Sequence, residues 1–219
     1  MKGRNVAFII LLIVFADQAL KFYIKTHFVI NESYPIFGDW FKLLFVENEG
    51  MAYGMKFGGD TGKIILTLFR LVAVIFGVWY LRHIIQKKQH PGFIFCASLI
   101  FAGALGNLID SMFYGMIFDS SYDHATYTGA DVLAKAFTGE GYSSFLHGKV
   151  VDMLYFPIIK GVHFPEWVPV WGGDEFEFFR PIFNIADASI SGGVIALLIF
   201  QNKFFKNQPK EEVVKEAGE

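Results

Sequence analysis

Four long apolar stretches constrain the fold of this chain more than any other feature. They cover residues 6–23, 64–81, 93–118 and 182–200, and an α-helix needs roughly 17–25 such residues to cross a bilayer. The hydrophobic fraction of 53% agrees with this interpretation, because soluble domains are less apolar. We therefore expect an all-α membrane protein with four transmembrane helices.

The regions between the predicted spans differ in character. Residues 27–62 contain β-type residues followed by a glycine-rich turn, which predicts a small β substructure between spans one and two. Residues 119–180 are polar and aromatic, which predicts an outer loop region between spans three and four. Residues 207–219 are charged and predict a disordered tail, so we expect one integral-membrane domain over residues 1–206.

Basic residues flank the four predicted spans mostly on one side. The flanks on that side carry Lys2, Arg4, Arg82, Lys87, Lys88, Lys203 and Lys206. The positive-inside rule makes this side cytoplasmic, so both termini are expected inside the cell and the regions 27–62 and 119–180 outside. The net charge of −2 gives no support for nucleic-acid binding, and the single cysteine, Cys96, allows no disulfide within the chain.

One polar pattern occurs twice near the ends of apolar stretches. Asn107 and Asp110 lie three residues apart in span three, and Asn184 and Asp187 do so at the start of span four. This spacing puts each pair on one helix face, and the helix directions bring both pairs to the outer side. We place Asp187 about six residues into its helix, or roughly 9 Å along the axis. Asp152, between the two spans, is expected to reach the same boundary.

Two carboxyl groups held together suggest acid–base chemistry on water. Such groups about 3 Å apart cannot both ionise, so one can hold a proton while the other accepts one from water. The alternative is that these polar residues only hold helices together, as intramembrane polar residues can do. The same two interpretations apply to Asp17 and Lys21, whose i,i+4 spacing predicts an ion pair in span one.

Other kinds of site receive less support from the sequence. His124, His147 and His163 lack the paired spacing of a zinc site, so we expect no metal and no cofactor. A small transporter or channel that uses buried aspartates as a relay is a competing hypothesis, although no internal repeat is evident. A non-catalytic membrane scaffold is a third. A catalytic pair of carboxyl groups should cluster near one membrane surface, whereas a conduction path should extend through the bilayer.

Five motifs follow one another along the chain: Asp17-Gln18-x-x-Lys21, Asn48-x-Gly50-x-Ala52-Tyr53-Gly54, Gly106-Asn107-Leu108-Ile109-Asp110, Val150-Val151-Asp152 and Phe183-Asn184-x-Ala186-Asp187. Together they resemble the motifs of the bacterial lipoprotein signal peptidases (signal peptidase II). The resemblance implies an aspartic endopeptidase of the bacterial inner membrane. Such an enzyme removes signal peptides from prolipoproteins, cutting before a cysteine that carries diacylglycerol.

The resemblance also implies roles for individual residues. Asp152 and Asp187 would form the catalytic pair, near the outer face of the membrane. The residues that support the pair or the substrate site would be Asp17, Lys21, Asn48, Gly50, Asn107, Asp110 and Asn184. The partners would be prolipoprotein substrates and membrane lipid, with no cofactor, and we expect a monomer.

The chain departs from the family pattern at two places. Ser111 stands where the family usually has an arginine directly after the Asn-Leu-Ile-Asp motif, and residues 112–149 lengthen the connection to Val-Val-Asp. This insert is either a tolerated surface loop or a lid that selects substrates. Our hypothesis is that Lys149, or alternatively Lys135, takes over part of the arginine's role. The competing interpretation is that Lys149 reaches lipid phosphates.

Overall fold

Four long helices form the body of the protein. The computed structural model describes residues 1–49, 59–122, 132–157, 159–163, 166–167, 173, 175–178 and 181–206 of the 219-residue chain. The candidate membrane spans are Gly3–His27, Thr61–Gln86, Pro91–Ile117 and Ile185–Phe205, with mean hydropathies of 2.0, 2.3, 2.0 and 1.4. All four are long and apolar enough to cross a membrane, which confirms the predicted four-span arrangement.

The helices form the bundle, and the end of the bundle that carries the four-stranded sheet is called the outer end, after the orientation predicted from the sequence. The helical elements are α1 (Gly3–His27), α2 (Gly59–Gln86), α3 (Pro91–Ile109), a π-helical segment (Asp110–Tyr114), α4 (Gly115–Ile117) and α5 (Ile185–Phe205). The strands are β1 (Ser33–Phe37), β2 (Phe41–Asn48), β3 (Val150–Tyr155), β4 (Ile159–His163), β5 (Glu175–Phe178) and β6 (Ile182–Phe183). The predicted tail at 207–219 lies outside the described residues.

A four-stranded antiparallel sheet lies at one end of the bundle, with strand order β1-β2-β3-β6. The small β substructure predicted between spans one and two consists of β1 and β2. The region between spans three and four also contributes strands, β3 and β6, which the sequence analysis did not predict. The register pairs Val46 with Asp152 and Asn48 with Val150, so β3 carries its aspartate beside the end of β2. A separate pair, β4 and β5, forms a two-stranded sheet.

Buried apolar residues form one cluster at each end of the bundle. At the outer end, Ile24 and Phe28 of α1 pack with Phe45 of β2 and with Val151 and Met153 of β3. The other cluster joins the first turns of α1 and α3 to the last turns of α2; its buried members are Val6, Leu81, Ile84, Phe93 and Ile94. The outer cluster attaches the sheet to the bundle and thereby fixes where β3 lies.

Helices α3 and α5 approach each other closely because α3 has glycines at the contact. A Cβ atom added at Gly103 would lie 2.2 Å from the carbonyl oxygen of Ala186, and one at Gly106 would lie 3.2 Å from Cβ of Ala186. Small residues at such positions allow helix backbones to come together in membranes. The close contact brings the N-terminus of α5 against the outer end of α3, where Asn107 is located.

The described part of the insert is packed against the bundle and the sheet. The main-chain N–H of Gly148 donates to the carbonyl oxygen of Ser111 at 2.9 Å, and an added Cβ there would lie 2.0 Å from the carbonyl oxygen of Asp110. Phe118 is buried in the outer cluster, with Tyr142 packed against that cluster. The insert therefore forms part of the outer core in the ranges that the structure describes, and its last residues lead directly into β3.

Candidate active site

Two asparagine side chains connect the carboxylates of Asp152 and Asp187. Asn184 donates from Nδ2 to Oδ1 of Asp152 at 2.7 Å and to Oδ1 of Asn107 at 3.2 Å. Asn107 donates from its own Nδ2 to Oδ1 of Asp187 at 2.7 Å. The two aspartates that the sequence analysis singled out therefore share one hydrogen-bonded network, although one lies on a strand and the other on a helix.

Asp187 lies in the first turn of α5, closer to the helix start than predicted. The sequence analysis began span four at residue 182 and placed Asp187 about six residues into it, but α5 begins at Ile185. Residues 182–183 form β6, and Asn184 is the N-cap, with its Oδ1 accepting from the main-chain N–H of Asp187 at 2.8 Å. Asparagine is among the preferred N-caps, and a carboxylate in the first turn is favoured by the helix dipole.

Asp152 is more deeply buried than Asp187. Its side chain is 3% exposed, and its Oδ2 accepts from Nδ2 of Asn48 at 3.1 Å. Burial, together with the nearby charge of Asp187, raises the pKa of Asp152 to about 7, and the hydrogen bonds from the two asparagines oppose this rise only in part. The carboxyl group of Asp152 is therefore able to hold a proton near neutral pH.

A buried ion cluster lies beside the pair. Lys21 places its Nζ 2.8 Å from Oδ2 of Asp17, 2.7 Å from Oδ2 of Asp110 and 3.0 Å from Oδ1 of Asn107. The predicted i,i+4 ion pair within α1 is thus confirmed, and it extends to Asp110 in the π-helical segment after α3. Asp17 also accepts from the main-chain N–H of Ala186 at 2.8 Å through Oδ1. The cluster joins α1, α3 and the first turn of α5, so it fixes the elements that carry Asn107 and Asp187.

Gln18 is a supporting residue to which sequence reasoning assigned no role. Its Nε2 donates to Oδ1 of Asp110 at 2.8 Å, and its Oε1 accepts from the hydroxyl of Tyr114 at 3.1 Å. Asp110 also accepts from the main-chain N–H of Val151 at 3.5 Å. Gln18 was visible in the sequence as part of the first motif, but nothing in its local spacing indicated a partner 92 positions away.

Arg70 is a second residue that the sequence analysis missed. It lies on α2 and donates from Nη1 to Oγ of Ser111 at 2.7 Å. The available signal was its position: it is an arginine inside the apolar stretch 64–81, and intramembrane charges are functional candidates.

Lys149 does not occupy the place of the missing arginine. Its Nζ lies 3.1 Å from Oε2 of Glu47, and Lys25 approaches the other oxygen of the same carboxylate. Burial alone would raise the pKa of Glu47, but the two ammonium groups outweigh it and lower that pKa below its usual value. Lys135 is exposed on the insert. The geometry therefore does not support either lysine in the predicted role, and Lys149 instead ties the insert to β2.

One predicted site residue lies outside the described residues. Gly50 belongs to the range 50–58, which the structure does not describe, whereas Asn48 of the same motif contacts Asp152. Among the described residues, no three His, Cys, Asp or Glu side chains are grouped so that they could hold a metal ion.

Comparisons with known proteins agree on one family. The family model for Signal peptidase (SPase) II matches residues 9–203. The lipoprotein signal peptidase of Porphyromonas gingivalis is 46% identical over 200 residues, which cover 90% of this chain and 83% of the relative. That of Amoebophilus asiaticus is 33% identical over 207 residues, covering 93% and 80%.

Solved structures of bacterial membrane enzymes share the fold. A bacterial membrane enzyme determined by the in meso method superposes with a TM-score of 0.55 at 26% identity, covering 97% of this chain and 96% of its own. A second structure with the same description gives a TM-score of 0.54, also at 26% identity, over 92% and 94% of the two chains. With the family match extending over most of its length and four helices able to span a bilayer, this multi-pass membrane protein belongs to the signal peptidase II family of proteases, which remove signal peptides from prolipoproteins.

Proposed function

We propose that the chain is an aspartic endopeptidase of the bacterial inner membrane whose water is activated by Asp152 and Asp187. Its substrates are prolipoproteins that carry a diacylglyceryl cysteine, and it cuts directly before that cysteine. The observation that carries the proposal is the network that joins the two carboxylates through Asn184 and Asn107. The network gives the two carboxyl groups different surroundings, which is what separate acid and base roles require.

The proposed reaction uses Asp152 as the acid and Asp187 as the base. Asp187 accepts a proton from water as the water oxygen bonds to the scissile carbonyl carbon, and Asp152 donates its proton to the carbonyl oxygen. The carbon–nitrogen bond then breaks as Asp187 passes its proton to the leaving amine. One hydroxyl of the tetrahedral intermediate returns a proton to Asp152, so the pair regains its starting state without a covalent intermediate.

The charge distribution supports a cytoplasmic location for both termini. The first residues of α1, the connection between α2 and α3 and the last residues of α5 all lie at the end opposite the four-stranded sheet. These are the segments that carry the basic flanks, which in membrane proteins face the cytoplasm. The sheet and the two aspartates then lie at the outer face, where a translocated prolipoprotein presents its cleavage site.

The depth of the polar residues favours a peptidase over a conduction path. Asp110 and Asp187 lie at the outer ends of their helices, and Asp152 lies on the outer sheet. In the half of α3 nearest the cytoplasm, Ser98 is buried but donates to the carbonyl oxygen of Ile94 in its own helix at 2.6 Å. The acidic residues of the described spans therefore lie in the outer half of the bundle.

Cleavage by the purified chain tests the proposal directly. We expect a diacylglyceryl-modified prolipoprotein to be cut before its modified cysteine, with the unmodified precursor as matched substrate control. Because the pair supplies both acid and base, EDTA should leave the rate unchanged. Mass spectrometry of the two products locates the cut. No cleavage of the modified precursor, or a loss of activity with EDTA that zinc restores, would contradict the proposed mechanism.

The raised pKa of Asp152 predicts a fall in activity above neutral pH. The acid role needs its proton, so kcat/KM should decrease as pH rises through about 7, approaching tenfold per pH unit. Between the ordinary carboxyl pKa and 7, the folded state binds more protons than the unfolded state, so the Asp152 contribution to stability declines there and is constant above 7. The activity loss above 7 is therefore not unfolding driven by this group. A rate that rises from pH 7 to 9 would contradict the assignment.

A further inference from the structure

The structure brings an arginine from another helix to the position where the family usually carries one. Arg70 on α2 donates to Oγ of Ser111 at 2.7 Å. Ser111 in turn donates from Oγ to the main-chain carbonyl oxygen of Asn107 at 2.9 Å. Asn107 is the residue whose side-chain amide donates to Asp187. A short chain of hydrogen bonds thus connects Arg70 to the residue that holds one carboxylate of the pair.

The charge of Arg70 acts on the same carboxylates. Its guanidinium group interacts electrostatically with the carboxylates of Asp187, Asp110 and Asp152. Ser111 is 2% exposed, so its contact with Arg70 is shielded from bulk solvent. Charge interactions in such a buried place are stronger than in water. An arginine within a membrane span is costly unless it faces polar partners, and these partners are the acidic groups of the site.

The backbone of α2 is fixed where Arg70 leaves it. Thr67, three residues earlier and on the same helix face, donates from Oγ1 to the carbonyl oxygen of Leu146 at 3.0 Å and is 1% exposed. Leu146 belongs to the insert, whose next residues pack against Ser111 through Gly148. The insert therefore attaches α2 beside α3 at the level of Ser111.

We propose that Arg70 is a positioning residue for the aspartate pair, holding Ser111 and Asn107 in place and supplying from α2 the positive charge that the family usually carries directly after the Asn-Leu-Ile-Asp motif. The expected effect of Arg70 on cleavage rests on the proposed function. Its effect on the protonation of the pair does not depend on cleavage and can be measured separately.

Removing the charge should displace the pH dependence of the site. A positive charge beside carboxylates favours their ionised forms, so Arg70→Gln should move the pH profile of kcat/KM toward higher pH. The rate at the wild-type optimum should fall roughly tenfold, which is less than the roughly 10²–10³-fold loss seen when a donor to the reacting atoms is removed, because Arg70 acts through Ser111 and Asn107. Arg70→Lys keeps the charge but not the planar fork, so its profile should stay in place even where its rate is reduced.

A relocated arginine provides the rescue. In the double variant Arg70→Gln/Ser111→Arg, the charge returns on α3, and the rate and the profile position should recover in part, giving a non-additive cycle. Arg82→Gln is the matched control, because Arg82 is an exposed arginine near the other end of α2, and its profile should match the wild type.

Infrared titration of the buried carboxyl groups in the absence of substrate separates the two proposals. The carboxyl band that Asp152→Asn removes should titrate at higher pH in Arg70→Gln than in the wild type. If this shift occurs while the wild-type chain leaves the prolipoprotein uncut, the role of Arg70 stands and the proposed function fails. If neither the band nor the pH profile moves in Arg70→Gln, or if Ser111→Arg only adds to its loss, the role of Arg70 is refuted.

Discussion

Replacing either aspartate of the pair by asparagine should abolish cleavage. Asp187→Asn and Asp152→Asn should each lower the turnover of a diacylglyceryl-modified prolipoprotein by at least roughly a hundredfold, the scale of acid–base catalysis. Asparagine keeps the shape of the side chain but neither accepts the proton of water nor donates one as a carboxylic acid does. Single-turnover cleavage, followed by gel shift of the released lipoprotein, measures the effect.

The two variants differ in how cleanly they test the chemistry. Both oxygens of Asp152 accept hydrogen bonds from asparagine amides, so Asp152→Asn puts an amide group against a donor and should cost about 1–3 kcal/mol of stability. Asp187 accepts one side-chain bond, from Asn107, among the described contacts, so Asp187→Asn should fold normally. Asp39→Asn is the control, because Asp39 is fully exposed. Turnover above a few per cent of wild type in a folded Asp187→Asn protein would overturn the assignment.

Lys21→Met should be the most destabilising single substitution in the site. Lys21 is fully buried and lies against the carboxylates of Asp17 and Asp110, which are themselves 1% and 0% exposed. Removing the cation leaves two buried carboxylates without their shared partner, and breaking a buried pair in this way costs about 3–5 kcal/mol. Denaturant unfolding in detergent micelles measures the difference from wild type.

Two further variants separate the loss of the buried ion pairs from the general effect of replacing a lysine by methionine. Lys87→Met removes an exposed lysine at the end of α2 and should leave the stability unchanged. Asp110→Asn added to Lys21→Met removes one of the unpaired carboxylates and should recover part of the loss. Stability of Lys21→Met within about 1 kcal/mol of wild type would show that the cluster does not hold the bundle together, since a surface pair contributes no more than that.

Local sequence was enough to predict the helices and some of the polar residues that meet near Asp187. An apolar stretch long enough to cross a bilayer has few alternatives to a helix, because its backbone groups must bond to one another in lipid. The Asp17–Lys21 pair followed from helix spacing alone, and the structure has it at 2.8 Å. The Asn-x-x-Asp motifs identified Asp110 and Asp187 as residues of interest before any contact was known.

Tertiary structure decided which groups meet. Asn48 reaches Asp152 across 104 positions and Arg70 reaches Ser111 across 41, and no periodicity within a helix or strand specifies such pairings. The start of α5 likewise depends on β6 pairing with β3, which shortens the predicted span and places Asp187 in the first turn. Lys149 was near Asp152 in sequence, but the strand directions turn it toward Glu47. The sequence by itself thus determined four spans and a set of polar residues, whereas helix packing and sheet register determined their partners, because those contacts join segments whose separation along the chain carries no local signal.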